Sequence, residues 1–134
     1  MKISYLVDTD WVIDHFNKVA EITQKLRELK PNGIALSIIS LAELYEGVYY
    51  SKDRTKAEKT LKTFLHGFPV LGIDEEICKI FGKERGKLRR QGKIVSDFDL
   101  LIGSTCLHYN LAILTNNRRH YEMVEGLSIF TSSR

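Results

Sequence analysis

Apolar residues in this chain fall into short runs and longer helical stripes, and the two kinds alternate from end to end. Residues 3–7, apolar except for Ser4, predict a short buried strand. Thr9 or Asp10 then caps a short helix reaching about residue 17. A second helix is expected over about residues 19–30, stopped by Pro31-Asn32-Gly33. Residues 34–39 form the second predicted strand. Ser40 opens a helix whose Leu41, Leu44, Tyr45, Val48 and Tyr49 make one apolar stripe. A charged helix, expected to be the least buried, covers about residues 53–66. Residues 68–73 predict a third strand, which Pro69 and Gly72 assign to an edge. Asp74 caps a long basic helix to about Gln91, with Gly92 as its stop. The next helix carries a stripe of Phe98, Leu101, Ile102, Thr105, Cys106 and Tyr109, with Gly103 and Ser104 small enough for close approach. Residues 111–114 predict a buried strand, residues 119–124 a short helix, and residues 127–130 a last strand. Such alternation predicts an α/β fold with a parallel sheet, helices on both faces and right-handed crossovers.

Composition adds little to that picture and excludes a few classes. With 134 residues, 43% apolar and 28% charged, the chain reads as one globular domain over residues 1–134. No run approaches the ~20 apolar residues of a membrane span. The first apolar run is cut by Asp8, unlike a secretory signal, so a cytoplasmic protein is expected. Cys78 and Cys106 read as reduced, buried small hydrophobes, and no ligand spacing for zinc occurs. His15, His66, His108 and His120 share no spacing and read as surface or packing residues.

The net charge of +3 is mild, but its distribution is uneven. Residues 79–93 hold seven basic side chains against Glu84 alone, a local +6, so the rest of the chain sums to −3. Lys83, Arg85, Lys87, Arg89 and Arg90 are thus candidate phosphate contacts. Arg118 and Arg119, beside Asn117, are a second such pair. A solvated helix face explains the basic run equally well.

Acids recur where apolar runs give way to helix starts: Asp8, Glu43 and Asp99, with Asn117 after a fourth run. In an open parallel sheet such positions converge on one crevice. Carboxylates gathered there repel one another unless a divalent cation sits between them. Metal-dependent phosphodiester hydrolysis is the natural use of such a set. Each acid also has a structural explanation. Ser40 with Glu43 and Ser96 with Asp99 both fit capping boxes. Asp97 competes with Asp99 for the third place and is kept as a supporting or capping acid. Asp8-Thr9-Asp10 also resembles the D-x-D of aspartate-nucleophile phosphohydrolases, though Thr115-Asn116-Asn117 supplies no late acidic pair. A non-catalytic module that binds RNA or a protein is a third possibility.

Leu6-Val7-Asp8-Thr9-Asp10, residues 40–48 from Ser40 through Glu43 to Val48, Asp99-Leu100-Leu101-Ile102 and Leu114-Thr115-Asn116-Asn117 together resemble PIN-domain nucleases. The likeness is to VapC-type toxins of toxin–antitoxin pairs, and it runs over nearly the whole chain in order. It implies a three-layer α/β/α sandwich and a Mg²⁺- or Mn²⁺-dependent endoribonuclease that inhibits translation. It further implies Asp8, Glu43 and Asp99 as acids, Asn117 at the fourth site position, and Thr9 or Ser40 as polar helpers. A homodimer bound by a VapB-type antitoxin, whose C-terminal segment covers the active site, is implied as well. Against the family pattern, Asn117 is neutral, Gly103-Ser104 stands where two alanines are common, and His120-Tyr121 replaces a frequent Asp-Phe.

Overall fold

The structure, a computed structural model, describes residues 2–132. Among them, five parallel strands form one sheet: β1 (Tyr5–Val7), β2 (Ile34–Ser37), β3 (Val70–Leu71), β4 (Ala112–Leu114) and β5 (Ile129–Phe130). Their order is β3-β2-β1-β4-β5, with Leu6 level with Ala35 on one side and Ile113 on the other. The third predicted strand does sit at an edge. The chain moves outward from β1 through β2 to β3, then returns to the other side of β1. The gap beyond the carboxyl ends of β1 and β4 is therefore the switch point, where open α/β sheets bind ligands.

Successive strand residues point to opposite faces, and both faces are covered. Val7, Leu36 and Leu114 enter one core with Trp11, Ile22, Leu44 and Leu61. That layer comprises α1 (Thr9–Phe16), α2 (Ala20–Leu29), α3 (Ile38–Tyr50) and α4 (Arg54–Leu65). Leu6, Ala35 and Ile113 enter the other with Ile102, Cys106 and Tyr121. Its helices are α5 (Glu75–Arg90), α6 (Asp97–Tyr109) and the single turn α7 (Arg118–Tyr121). The result is the expected three-layer sandwich. No helix among the described residues is long and apolar enough to cross a membrane.

Several expectations shift locally. The second strand ends at Ser37, which caps α3 by accepting the Ile39 N–H at 3.0 Å. Ser40 therefore lies inside the helix, fully buried, with no partner for its hydroxyl among the described residues. The run Ile38-Ile39 reads as strand in the sequence because β-branched apolar residues suit both states. Asp8, not Thr9 or Asp10, is the N-cap of α1. Tyr49 leaves the apolar stripe for solvent, where the Arg54 guanidinium stands 4.4 Å from its ring. The charged helix α4 does bury Leu61 and Phe64. Cys78 is exposed, whereas Cys106 is buried as expected. Helix α6, wedged between the sheet and α5, is buried nearly all round from Leu100 to Cys106, so Phe98 and Tyr109 project from its ends. Gly103 is not required for that packing, because a Cβ there would meet Leu127 at an ordinary 3.6 Å.

Candidate functional site

Asp8 follows β1 at the centre of the sheet, so its carboxylate emerges at the switch point. It is 5% exposed and held by three donors. Oδ1 accepts the Thr9 N–H at 2.8 Å and the Tyr121 hydroxyl at 3.0 Å, and Oδ2 accepts the Thr115 hydroxyl at 2.8 Å. Burial pushes its pKa upward, with the Asp99 charge adding to the rise, while these hydrogen bonds pull it back. The donors fix the group without neutralising it.

Glu43 comes from the second turn of α3, and its Oε1 accepts the Thr9 hydroxyl at 2.7 Å. Because Ser37 caps α3, the capping box expected of Ser40 and Glu43 does not form. Burial raises the Glu43 pKa, and repulsion from Asp8 and Asp99 adds to it. Asp99 enters from the first turn of α6. Ser96 caps that helix by accepting the Asp99 N–H at 3.2 Å. The Asp99 carboxylate turns toward the cleft, 3.4 Å from the Tyr121 hydroxyl and 3.3 Å from His120 Nδ1.

These acids line a cleft of about 420 Å³ with Thr9 and Asn117. Asn117 stands exposed beyond β4, with its N–H on the Thr115 hydroxyl at 3.0 Å. Asp97 also reaches the rim, but its carboxylate pairs with Arg85 at 2.7 Å and is 79% exposed. Asp99 is thus the inward-facing acid of the two.

Four residues of this site carry no sequence signal strong enough to assign them to it. Asp10 accepts the Asn116 N–H at 2.9 Å and lines the cleft. Burial, with repulsion from Asp8, raises its pKa to about 6. Its place two residues after Asp8 at a helix start is the one available hint. Thr115 and Tyr121 lie 107 and 113 residues from Asp8; both fall in or beside the family-like segments, but nothing there marks their hydroxyls as partners of Asp8. His120, expected to be a surface or packing residue, instead lines the cleft, at the place where the family pattern has a frequent Asp-Phe.

The basic helix α5 contributes less to the site than its charge suggests. Arg85 is committed to Asp97 and to the Val95 carbonyl at 2.8 Å, and Lys87 to Glu84 and Glu125. Lys83, Arg89 and Arg90 remain exposed. Arg118 and Arg119 are exposed on α7, Arg118 lying 4.0 Å from Glu122. None of these seven cations is among the residues lining the cleft.

Among the described residues, no three of His, Cys, Asp or Glu stand together as a ready coordination cage. Asp8, Glu43 and Asp99 share one cleft, where the Asp99 charge helps raise the pKa values of Asp8 and Glu43, without closing on a point. Such a set fits a hard cation that keeps several waters and takes one or two carboxylates, the habit of Mg²⁺. Concentrated, half-desolvated negative charge is also what such an ion relieves.

That charge has a consequence for stability. Folded Asp10 keeps its proton to about pH 6, whereas its ordinary value is 3.8. Between those values the folded chain binds more protons than the unfolded one, so stability falls as pH rises through the window. We expect the melting temperature in EDTA to decline from pH 4 to 6, Asp10→Asn to flatten the decline, and Mg²⁺ to restore stability at pH 7. An Asp10→Asn profile that follows the unsubstituted protein throughout would contradict this.

The chain is similar to several known proteins. The PIN-domain profile matches residues 5–126. The chain is 35% identical to ribonuclease VapC1 of Methanocaldococcus jannaschii over 93% of its own length and 85% of the relative's. It is 29% identical to the tRNA(fMet)-specific endonuclease VapC of Shigella flexneri, covering 93% and 95%. The solved structure of VapBC2 from Rickettsia felis, bound to a DNA fragment from their promoter, superposes with a TM-score of 0.91 at 28% identity, over 98% and 100% of the chains.

Proposed function

The chain belongs to the PIN-domain family, among its VapC ribonucleases, and from that premise we propose that it is a divalent-metal-dependent endoribonuclease. We assign it the role of toxin in a type II toxin–antitoxin pair that inhibits translation, active as a homodimer and restrained by a VapB-type partner. The observation carrying the catalytic reading is the buried Asp8 carboxylate, fixed by three donors at the sheet's switch point, with Glu43 and Asp99 on the same cleft.

Asp8 and Asp99, with Glu43, would hold Mg²⁺ or Mn²⁺ directly or through water. A bound ion there supplies Lewis acidity toward a phosphoryl oxygen and lowers the pKa of water. The protein's part is orientation. Thr9 fixes Glu43 through its hydroxyl and Asp8 through its amide, so one residue sets the spacing of two acids. Tyr121 stands between Asp8 and Asp99, giving its single hydroxyl hydrogen chiefly to Asp8 at 3.0 Å, with Asp99 at a longer 3.4 Å. Its own ionisation is pushed far upward by burial and by both carboxylates, so it stays a hydrogen-bond donor. Asn117 offers a neutral amide at the cleft's open side, suited to a phosphate oxygen or a water.

The direct test incubates purified protein with a single-stranded RNA and with tRNA, in Mg²⁺ or in EDTA, and maps the product ends. Mg²⁺-dependent internal cuts leaving 5′-phosphates are expected, and equal cutting in EDTA would reject the reading. Glu43→Gln separates catalysis from packing. With no capping box to lose, stability should change by no more than about 0.5 kcal/mol, while cleavage falls at least about a hundredfold. Unchanged cleavage with a clear drop in melting temperature would instead make Glu43 structural.

A further inference from the structure

The cleft has acidic walls. Asp8, Asp10, Glu43, Asp97 and Asp99 line it, with no lysine or arginine among the lining residues described. Apart from the one phosphate that a bound cation would take, a polyanion at that wall is repelled, so phosphate contacts alone do not account for holding a nucleic-acid strand there. The lining also includes one large apolar side chain, Phe98. It sits on the first turn of α6, directly before Asp99, and is 51% exposed, while Leu100 and Ile102 behind it are buried. The apolar stripe makes it look like a core residue. The first helical turn instead carries the ring past the core's edge to the rim of the site.

We infer that Phe98 is the stacking platform for a nucleobase flanking the scissile phosphate, and that it selects unpaired RNA at this site. The assignment rests on the endoribonuclease reading and gives that reading its substrate form. An aromatic face binds a base without regard to phosphate charge, and every base offers a π-face. A base beside the bond to be cut is one sugar away from it, so it falls on the same wall as Asp99. In a duplex that base is paired and stacked on its neighbours, whereas in a loop or single strand it can splay onto the ring. Beside Phe98, the Asp97–Arg85 pair at 2.7 Å reduces the negative potential where the base would lie.

The test uses an Asp8→Asn background, which permits binding without cutting, and a fluorescein-labelled single-stranded RNA read by anisotropy. Adding Phe98→Ala should weaken binding about tenfold, and Phe98→Trp should retain it. A matched RNA lacking the base next to the mapped cut should bind equally well with and without the Phe98→Ala change, and a blunt duplex should not distinguish the two proteins either. Equal affinity of those two proteins for the intact single strand would overturn the assignment. So would light scattering showing that Phe98→Ala splits a dimer, because the ring would then be a subunit contact. Failure of the unsubstituted protein to cut any RNA in Mg²⁺ would reject the endoribonuclease reading itself. An unchanged affinity rejects only the role of Phe98.

Discussion

Asp8→Asn is expected to reduce RNA cleavage by about a thousandfold or more while leaving the fold intact. The two halves of that expectation have separate causes. Cleavage fails because the substitution removes the charge at the centre of the cleft, the acid that the switch point holds most firmly. The fold survives because the lost charge was itself a burden: burial had already pushed the Asp8 pKa upward. The amide also finds partners for both its ends. Its oxygen replaces Oδ1 toward Thr9 and Tyr121, and its NH₂ group replaces Oδ2 beside Thr115. The Thr115 hydroxyl then turns its hydrogen to Asp10, 3.4 Å away, and accepts from the new amide. A melting temperature at or above that of the unsubstituted protein, with cleavage lost, is the predicted pair. Expression of this variant should also relieve any growth arrest caused by the parent chain. Retained cleavage would remove Asp8 from the site. A collapsed melting temperature would make its role structural.

Gly33→Ala should have the largest effect on stability. Gly33 links a 3-10 turn at Lys30–Asn32 to β2 and adopts φ +87°, ψ +112°, a conformation open only to glycine. Its carbonyl accepts the Ser4 and Tyr5 N–H groups at 2.9 and 3.1 Å, which sets the start of the β1–β2 ladder. A Cβ would run into the Lys2 carbonyl and stand 2.8 Å from Ile3 Cα, both of them backbone. No rotamer change relieves that overlap, so β1 must move. We expect a loss of about 3 kcal/mol or more, combining the unfavourable dihedrals with the displaced strand. Since β1 delivers Asp8, cleavage should fall along with stability, unlike in Asp8→Asn. Urea unfolding would check this, and a loss below about 1 kcal/mol would contradict it.

How much of this can be read beforehand differs between the frame and the site. The sheet is legible because β1, β2 and β4 are buried on both faces, and burial on both faces writes itself as continuous apolar runs. The helices are legible from their stripes and from caps such as Asp74, which accepts the Ile77 N–H at 2.9 Å. The boundary between β2 and α3 is not, because Ile38 and Ile39 suit either state. That shift of the helix start from Ser40 to Ile38 is what makes Glu43 look like half of a capping box. The convergence of Asp8, Glu43 and Asp99 on one cleft follows from topology and can be anticipated. The groups that hold them cannot. Thr115 and Tyr121 reach Asp8 across more than a hundred residues of chain, and a hydroxyl leaves no periodic trace. Phe98 misleads for a related reason, since a stripe records which face of a helix is apolar but not where the core ends. Charge density is a weak guide as well. Arg85 and Lys87 look free in the sequence and are paired in the structure.

Asp8, Glu43 and Asp99 are expected to face a common divalent ion, which anomalous scattering from crystals of the protein soaked in Mn²⁺ would reveal. A manganese peak in the cleft, within direct or single-water reach of Asp8 and Asp99 and absent from Asp8→Asn crystals, is the predicted result. Crystals that cut RNA when dissolved, yet show no manganese in that cleft at saturating concentration, would contradict it.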